Sequence, residues 1–143
     1  MSKFRNRRKK TEKGVDPMRK VLVGVDGTER SKNASKVAAE IIGPDAEVTL
    51  INVIEEAVKE ENIKERVQKC LDEEAVYFKE KGLKVDKEIH YGDPADVICE
   101  VAEKHDFDLI VLADKGHGVK RFLLGSTSDK VVRHAKTSVL VVK

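Results

Sequence analysis

The chain has 143 residues and a mass of 16.0 kDa, the size of one ordinary domain with one good core. Apolar residues make up 40% of it, but no run of about 18 of them occurs, so no segment reads as a membrane-spanning helix and no membrane contact is expected. No apolar stretch follows the basic N-terminus, so no secretory leader is expected and the expected location is the cytoplasm.

The net charge of +2 conceals an asymmetry. Lys3, Arg5, Arg7, Arg8, Lys9, Lys10 and Lys13 against Glu12 and Asp16 give residues 1–17 a charge of +5, leaving −3 for the remainder. Such a segment lacks the apolar residues needed to order itself, so 1–17 reads as a disordered basic tail and 18–143 as one folded domain. Contact with nucleic acid is expected nowhere apart from this tail, and a solvated, non-specific extension is its plainer reading.

From Arg19 onward apolar runs and helical periods alternate. Arg19 to Val25 is a short apolar run ending at the turn signal Asp26-Gly27, and reads as a first strand. Ala34, Val37, Ala38 and Ile41 recur at helical spacing, with Ser31 available as a cap and Gly43-Pro44 as a stop. Glu47 to Ile54 is a second strand. Ile63, Val67, Cys70, Leu71 and Phe78 then mark one face of a long helix closed by Gly82. Leu83 to Ile89 alternates apolar and charged residues, as suits a strand at a sheet edge with one face exposed.

Asp93-Pro94 places a capping side chain before a proline at the first helical position, and the helix that follows carries Val97, Ile98, Val101 and Ala102 inward. Asp108 to Ala113 is an almost wholly apolar strand, covered on both faces. A Gly-rich basic loop from Asp114 to Arg121 leads to a helix with Leu124, Val131, Val132 and Ala135 as its stripe, and Ser138 to Val142 forms the last strand. Strands alternating with helices in this way require right-handed crossovers. The expected fold is an α/β, three-layer open parallel five-stranded sheet, strand order 3-2-1-4-5, with helices on both faces.

In such a sheet ligands bind beyond the carboxyl ends of the strands where the order reverses, here between strands 1 and 4. Val25, Asp26, Gly27 and Thr28, then Ala113 to Arg121, then Gly125, Ser126 and Thr127 meet there. A helix N-terminus presents unpaired N–H groups that suit phosphate; Gly125 permits close approach, Ser126 and Thr127 add hydroxyls, and Lys115, Lys120 and Arg121 supply charge. The same residues serve equally as a capping box, with Ser126 as cap and Asp129 completing it. No P-loop occurs, and Arg121 stands where a third glycine of a dinucleotide fingerprint would be required. None of His90, His105, His117 and His134 pairs with a His or Cys at ligand spacing, so no metal site and no catalytic set is expected. His117 is the one His placed to meet a ligand. Cys70 and Cys99 read as buried core residues.

Val21-Leu22-Val23-Gly24-Val25-Asp26-Gly27-Thr28, Tyr91-Gly92-Asp93-Pro94-Ala95, Asp108 to Ala113, Phe122-Leu123-Leu124-Gly125-Ser126-Thr127-Ser128 and Thr137 to Val142 together resemble the universal stress protein family in order and spacing, from about Met18 onward. The resemblance implies a stress-response sensor or regulatory module whose crevice takes ATP, with Mg2+, or another adenine nucleotide. By that resemblance Asp26, with Val25 beside it, would meet the adenosine end, Val53 and Leu112 the adenine, and Ala113, Gly116, Gly125, Ser126 and Thr127 the phosphates. ATP-binding members carry glycine where this chain has Ala113, and their loop is one residue longer. The resemblance also implies a homodimer through the last strand. It leaves open a member that binds no nucleotide and acts through dimerisation and protein partners. No residue is an evident general base, so slow ATP hydrolysis is the most that is expected. A phospho-accepting receiver domain is disfavoured, because Ile89-His90-Tyr91 supplies no Asp at the end of the third strand.

Overall fold

The computed structural model describes residues 18–114 and 124–143. The tail expectation for 1–17 and the readings placed on Lys115, Gly116, His117, Lys120 and Arg121 lie outside the described residues. The elements in chain order are β1 (Lys20–Gly24), α1 (Glu29–Ile41), β2 (Glu47–Ile54), α2 (Ile63–Lys79), β3 (Lys84–Tyr91), α3 (Pro94–Lys104), β4 (Leu109–Ala113), α4 (Ser126–His134) and β5 (Ser138–Val142). They build one parallel sheet in the order β3-β2-β1-β4-β5, as expected. In the flavodoxin-like order, by contrast, strand 1 neighbours strand 3.

Strand side chains alternate between faces, and the core divides accordingly. Val21 and Val23 of β1, Val48 and Leu50 of β2 and Val111 of β4 pack with Ala38, Leu71, Ala75 and Phe78 of α1 and α2. Leu22, Ile51, Ile110 and Leu112 point the other way and pack with Ile98, Val101, Ala102 and Val131 of α3 and α4. Each Val, Leu, Ile or Phe side chain buried in full contributes about 1.5–3 kcal/mol, and β1, with Val21, Leu22 and Val23 all at 0% exposure, lies at the centre of both layers.

Several local expectations are corrected. Thr28, not Ser31, caps α1: its hydroxyl accepts the Ser31 N–H, and Ser31 turns inward. The buried stripe of α1 is therefore Ser31, Ala34, Ser35, Ala38 and Ala39, and Ile41 is 58% exposed. On α4 the cap is Gly125, not Ser126, and Asp129 pairs with Arg133 instead of closing a capping box. Val132 faces outward at 46% exposure, because the short helix buries only Ser128 and Val131. Cys70 and Cys99 are half-buried, one on each side of the sheet. Asp93 does cap α3, accepting the Asp96 N–H with Pro94 behind it.

Candidate functional site

The turn after β1 is built from local hydrogen bonds. Asp26 Oδ1 accepts from the Thr28 N–H at 2.9 Å and from the Thr28 hydroxyl at 2.6 Å. Gly27 sits between them at φ +80°, in the left-handed region that glycine enters without strain. The Asn52 side-chain amide donates to the Val25 carbonyl at 2.6 Å, tying the end of β1 to β2.

Behind this turn lies a buried acid. Glu74 on α2 is fully buried and accepts from the Ser31 hydroxyl at 2.7 Å and from the Ser35 hydroxyl at 2.5 Å. The Ser31 hydroxyl in turn accepts the Asp26 N–H at 3.1 Å, so a continuous chain runs from α2 through α1 to the turn. Burial pushes the Glu74 carboxyl up, against the opposing effect of the two serines.

The last wall is the N-terminus of α4. The Lys130 ammonium bridges Asp93 at 3.1 Å and Asp96 at 3.0 Å, locking the first turn of α3 to α4. The Asp96 N–H and then Lys130 hold the Asp93 carboxyl below the usual carboxylate range, and the two acids raise Lys130. These groups are solvent-exposed, so the lock orients the helices more than it stabilises them. The Ser128 hydroxyl donates to the Ala113 carbonyl at 3.1 Å, joining α4 to the end of β4.

These walls enclose a cavity of about 500 Å³. Val25, Asp26, Val53, Leu112, Ala113, Gly125, Ser126 and Thr127 all line it; Gly116, the remaining predicted site residue, is outside the described residues. The cavity is wider than the expected gap between β1 and β4, crossing β2 to Arg66, Val67 and Cys70 of α2. Arg66 is held there by two hydrogen bonds to Glu60, at 3.0 and 2.7 Å. Apolar β-strand walls facing a polar helix terminus can take a flat, largely apolar group at one end and an anion or hydroxyl at the other. Among the described residues no group of His, Cys, Asp and Glu could hold a metal ion, and no helix is long and apolar enough to cross a membrane.

Sequence reasoning missed Glu74, Asn52, Glu60, Arg66 and the site role of Ser31. For Glu74 a signal existed: it lies between Leu71 and Phe78 at helical spacing, on the stripe that α2 buries.

Residues 17–143 match the model of the universal stress protein family. The chain belongs to this family. A universal stress protein of Methanocaldococcus jannaschii is 35% identical over 91% of this chain and 85% of the relative. A universal stress protein of Methanothermobacter thermautotrophicus is 32% identical over 90% of this chain and 98% of its own. Among solved structures, a universal stress protein in complex with cAMP superposes with a TM-score of 0.73 at 26% identity, covering 90% of this chain and 98% of that one.

Proposed function

We propose that this universal stress protein is a regulatory module that binds an adenine nucleotide in the crevice at the carboxyl ends of β1, β2 and β4. The observation that carries the reading is the joining, in one cavity, of apolar strand residues (Val53, Leu112) with the Asp26 turn and the N-terminus of α4. Val53 and Leu112 would flank the base, and Val25 and Asp26 would meet the ribose. Ala113, Gly125, Ser126 and Thr127 would meet phosphate. ATP would enter as its Mg2+ complex, and the Ser126 and Thr127 hydroxyls on the cavity wall would offer neutral oxygen donors. A relative of the same fold solved with cAMP supports the class of ligand.

Calorimetric titration with AMP, cAMP and ATP, with and without Mg2+, tests the reading; saturable binding of at least one is expected. Gly125 has φ −62°, so a side chain there meets no left-handed strain. Gly125→Val is expected to weaken binding by about tenfold or more by filling the approach to the helix terminus, with unchanged circular dichroism. Unaltered affinity in the folded variant would put the ligand elsewhere.

The assembly part of the proposal rests on β5. It is the sheet's terminal strand, and Val139, Leu140, Val141 and Val142 are all half-buried in the single chain. An apolar edge with unpaired backbone groups favours a two-fold partner, a second copy of this strand. Val141→Lys would set like charges near the axis and is expected to yield monomers in sedimentation. A dimer surviving both this change and Val139→Pro would use another face. A protein that dimerises but takes up no nucleotide would act through protein partners instead.

A further inference from the structure

Ser31, Ser35 and Glu74 meet inside the junction of α1 and α2. Glu74 is fully buried on the stripe that α2 turns inward with Val67, Leu71, Ala75 and Phe78. Ser31 and Ser35 lie on the buried stripe of α1 with Ala34, Ala38 and Ala39. A carboxyl in such a place gives up its hydration and regains only what its hydrogen-bond partners return. Replacing a whole buried hydrogen-bonded set by apolar groups of similar shape is close to neutral, or even stabilising. Stability alone therefore does not account for an acid at this position.

What an apolar set could not do is hold the turn after β1. A hydroxyl has one proton to give and two lone pairs with which to accept. Ser31 gives its proton to Glu74 Oε2 at 2.7 Å, which leaves its oxygen to accept the Asp26 N–H at 3.1 Å. The Ser35 hydroxyl bonds the other carboxylate oxygen, Oε1, and keeps the carboxylate from turning away. Asp26 Oδ1 in turn holds the Thr28 N–H and hydroxyl, so the backbone of the turn and the Asp26 side chain are fixed together. Asp26 and Ser31 line the cavity, and Glu74 stands behind them.

We infer that Glu74 is a positioning residue of the crevice: through Ser31 it fixes the Asp26 turn in the orientation that receives the ribose hydroxyls of an adenine nucleotide. The inference rests on the reading of the crevice as an adenine-nucleotide site with the ribose at Asp26, and assigns the control of its sugar selectivity to a residue outside the wall.

AMP and ATP are each compared, by calorimetry on the full chain, with the dideoxy form that lacks both secondary ribose hydroxyls. The wild-type protein is expected to favour the ribose form about tenfold, the worth of one hydrogen bond to a charged acceptor. Glu74→Leu alone strands two hydroxyls and risks unfolding the chain. The triple change Ser31→Ala, Ser35→Ala and Glu74→Leu strands neither, and should melt close to wild type. In it the ribose forms should weaken about tenfold and the dideoxy forms should bind as in wild type, so the preference disappears while stability is kept. A role in stability alone predicts the opposite, a preference that returns with the melting temperature. Ser35→Ala with Glu74→Leu keeps Ser31, and should lose the preference too; a direct contact between Ser31 and the ligand would preserve it. Glu74→Gln, whose amide can still hold both serines, should retain it.

Equal binding of ribose and dideoxy forms by the wild-type protein, a folded triple or double variant that keeps the preference, or a Glu74→Gln that loses it would each overturn the inference while leaving the nucleotide site standing. Failure of every nucleotide to bind would instead remove the reading of the crevice, and the inference with it.

Discussion

Glu74→Leu is expected to destabilise the protein severely and to loosen the Asp26 turn, although residue 74 does not itself line the cavity and reaches it only through Ser31. Ser31 and Ser35 are 1% and 0% exposed, and their hydroxyls donate to the Glu74 carboxylate. Leucine leaves both donors without that acceptor inside the core, at about 1–3 kcal/mol for each hydroxyl stranded. Ser31 also holds the Asp26 N–H, so faster exchange of that amide should accompany the loss. Glu74→Gln is the control, since its amide can accept from one serine and donate to the other.

The two variants separate further with pH. Burial raises the Glu74 carboxyl, Asp26 adds to the rise, and the serines and Lys32 oppose it. A carboxyl raised on folding binds more protons in the folded state than in the unfolded one. Its contribution is therefore most favourable at low pH, and stability falls as pH rises from about 4.3, the ordinary carboxylate value, through the raised folded value. Glu74→Gln removes this slope, so its stability relative to wild type should improve across that window. Denaturant melts at several pH values measure both effects. Parallel curves for wild type and Glu74→Gln would show that Glu74 does not titrate as described, and an unaltered midpoint in Glu74→Leu would remove its structural role.

The second large effect is expected at Gly27. Its φ of +80° disfavours any side chain, and a Cβ placed there would lie 2.6 Å from Cys70 Sγ. Holding valine in that backbone region costs about 1–3 kcal/mol before the clash is counted. Gly27→Val should therefore lower stability by more than that strain alone and displace the Asp26 side chain from the crevice. The two causes separate in a double-mutant cycle with Cys70→Ala. Gly27→Ala with Cys70→Ala should recover the steric part and retain the backbone part. Strict additivity in thermal melts would mean that the sulfur does not press on the turn.

The order of elements was legible because its signals are local. Continuous apolar runs mark β1, β2 and β4, buried on both faces, while the charged alternation of β3 marks it as an edge. The Asp93-Pro94 start of α3 was legible for the same reason, since both parts of the signal are adjacent in the chain. The caps of α1 and α4 were not. Thr28 and Ser31 are both competent hydroxyls, and their assignment turns on Glu74, which draws Ser31 inward from another helix.

By itself the sequence determined the family, the parallel sheet with its order, and which segments meet at the carboxyl ends of the strands. These follow from periodicity and chain connectivity, which restrict the topology before any side chain is placed. Only the tertiary structure decided how far the crevice extends across β2, that a buried glutamate supports the Asp26 turn, and that Asp114 bonds the cap of α4. Each depends on a polar group finding its partner across a gap in sequence, as Glu74 does with Ser31 and Asp114 with Gly125. Burial makes such a partner obligatory, but only packing determines which one it is.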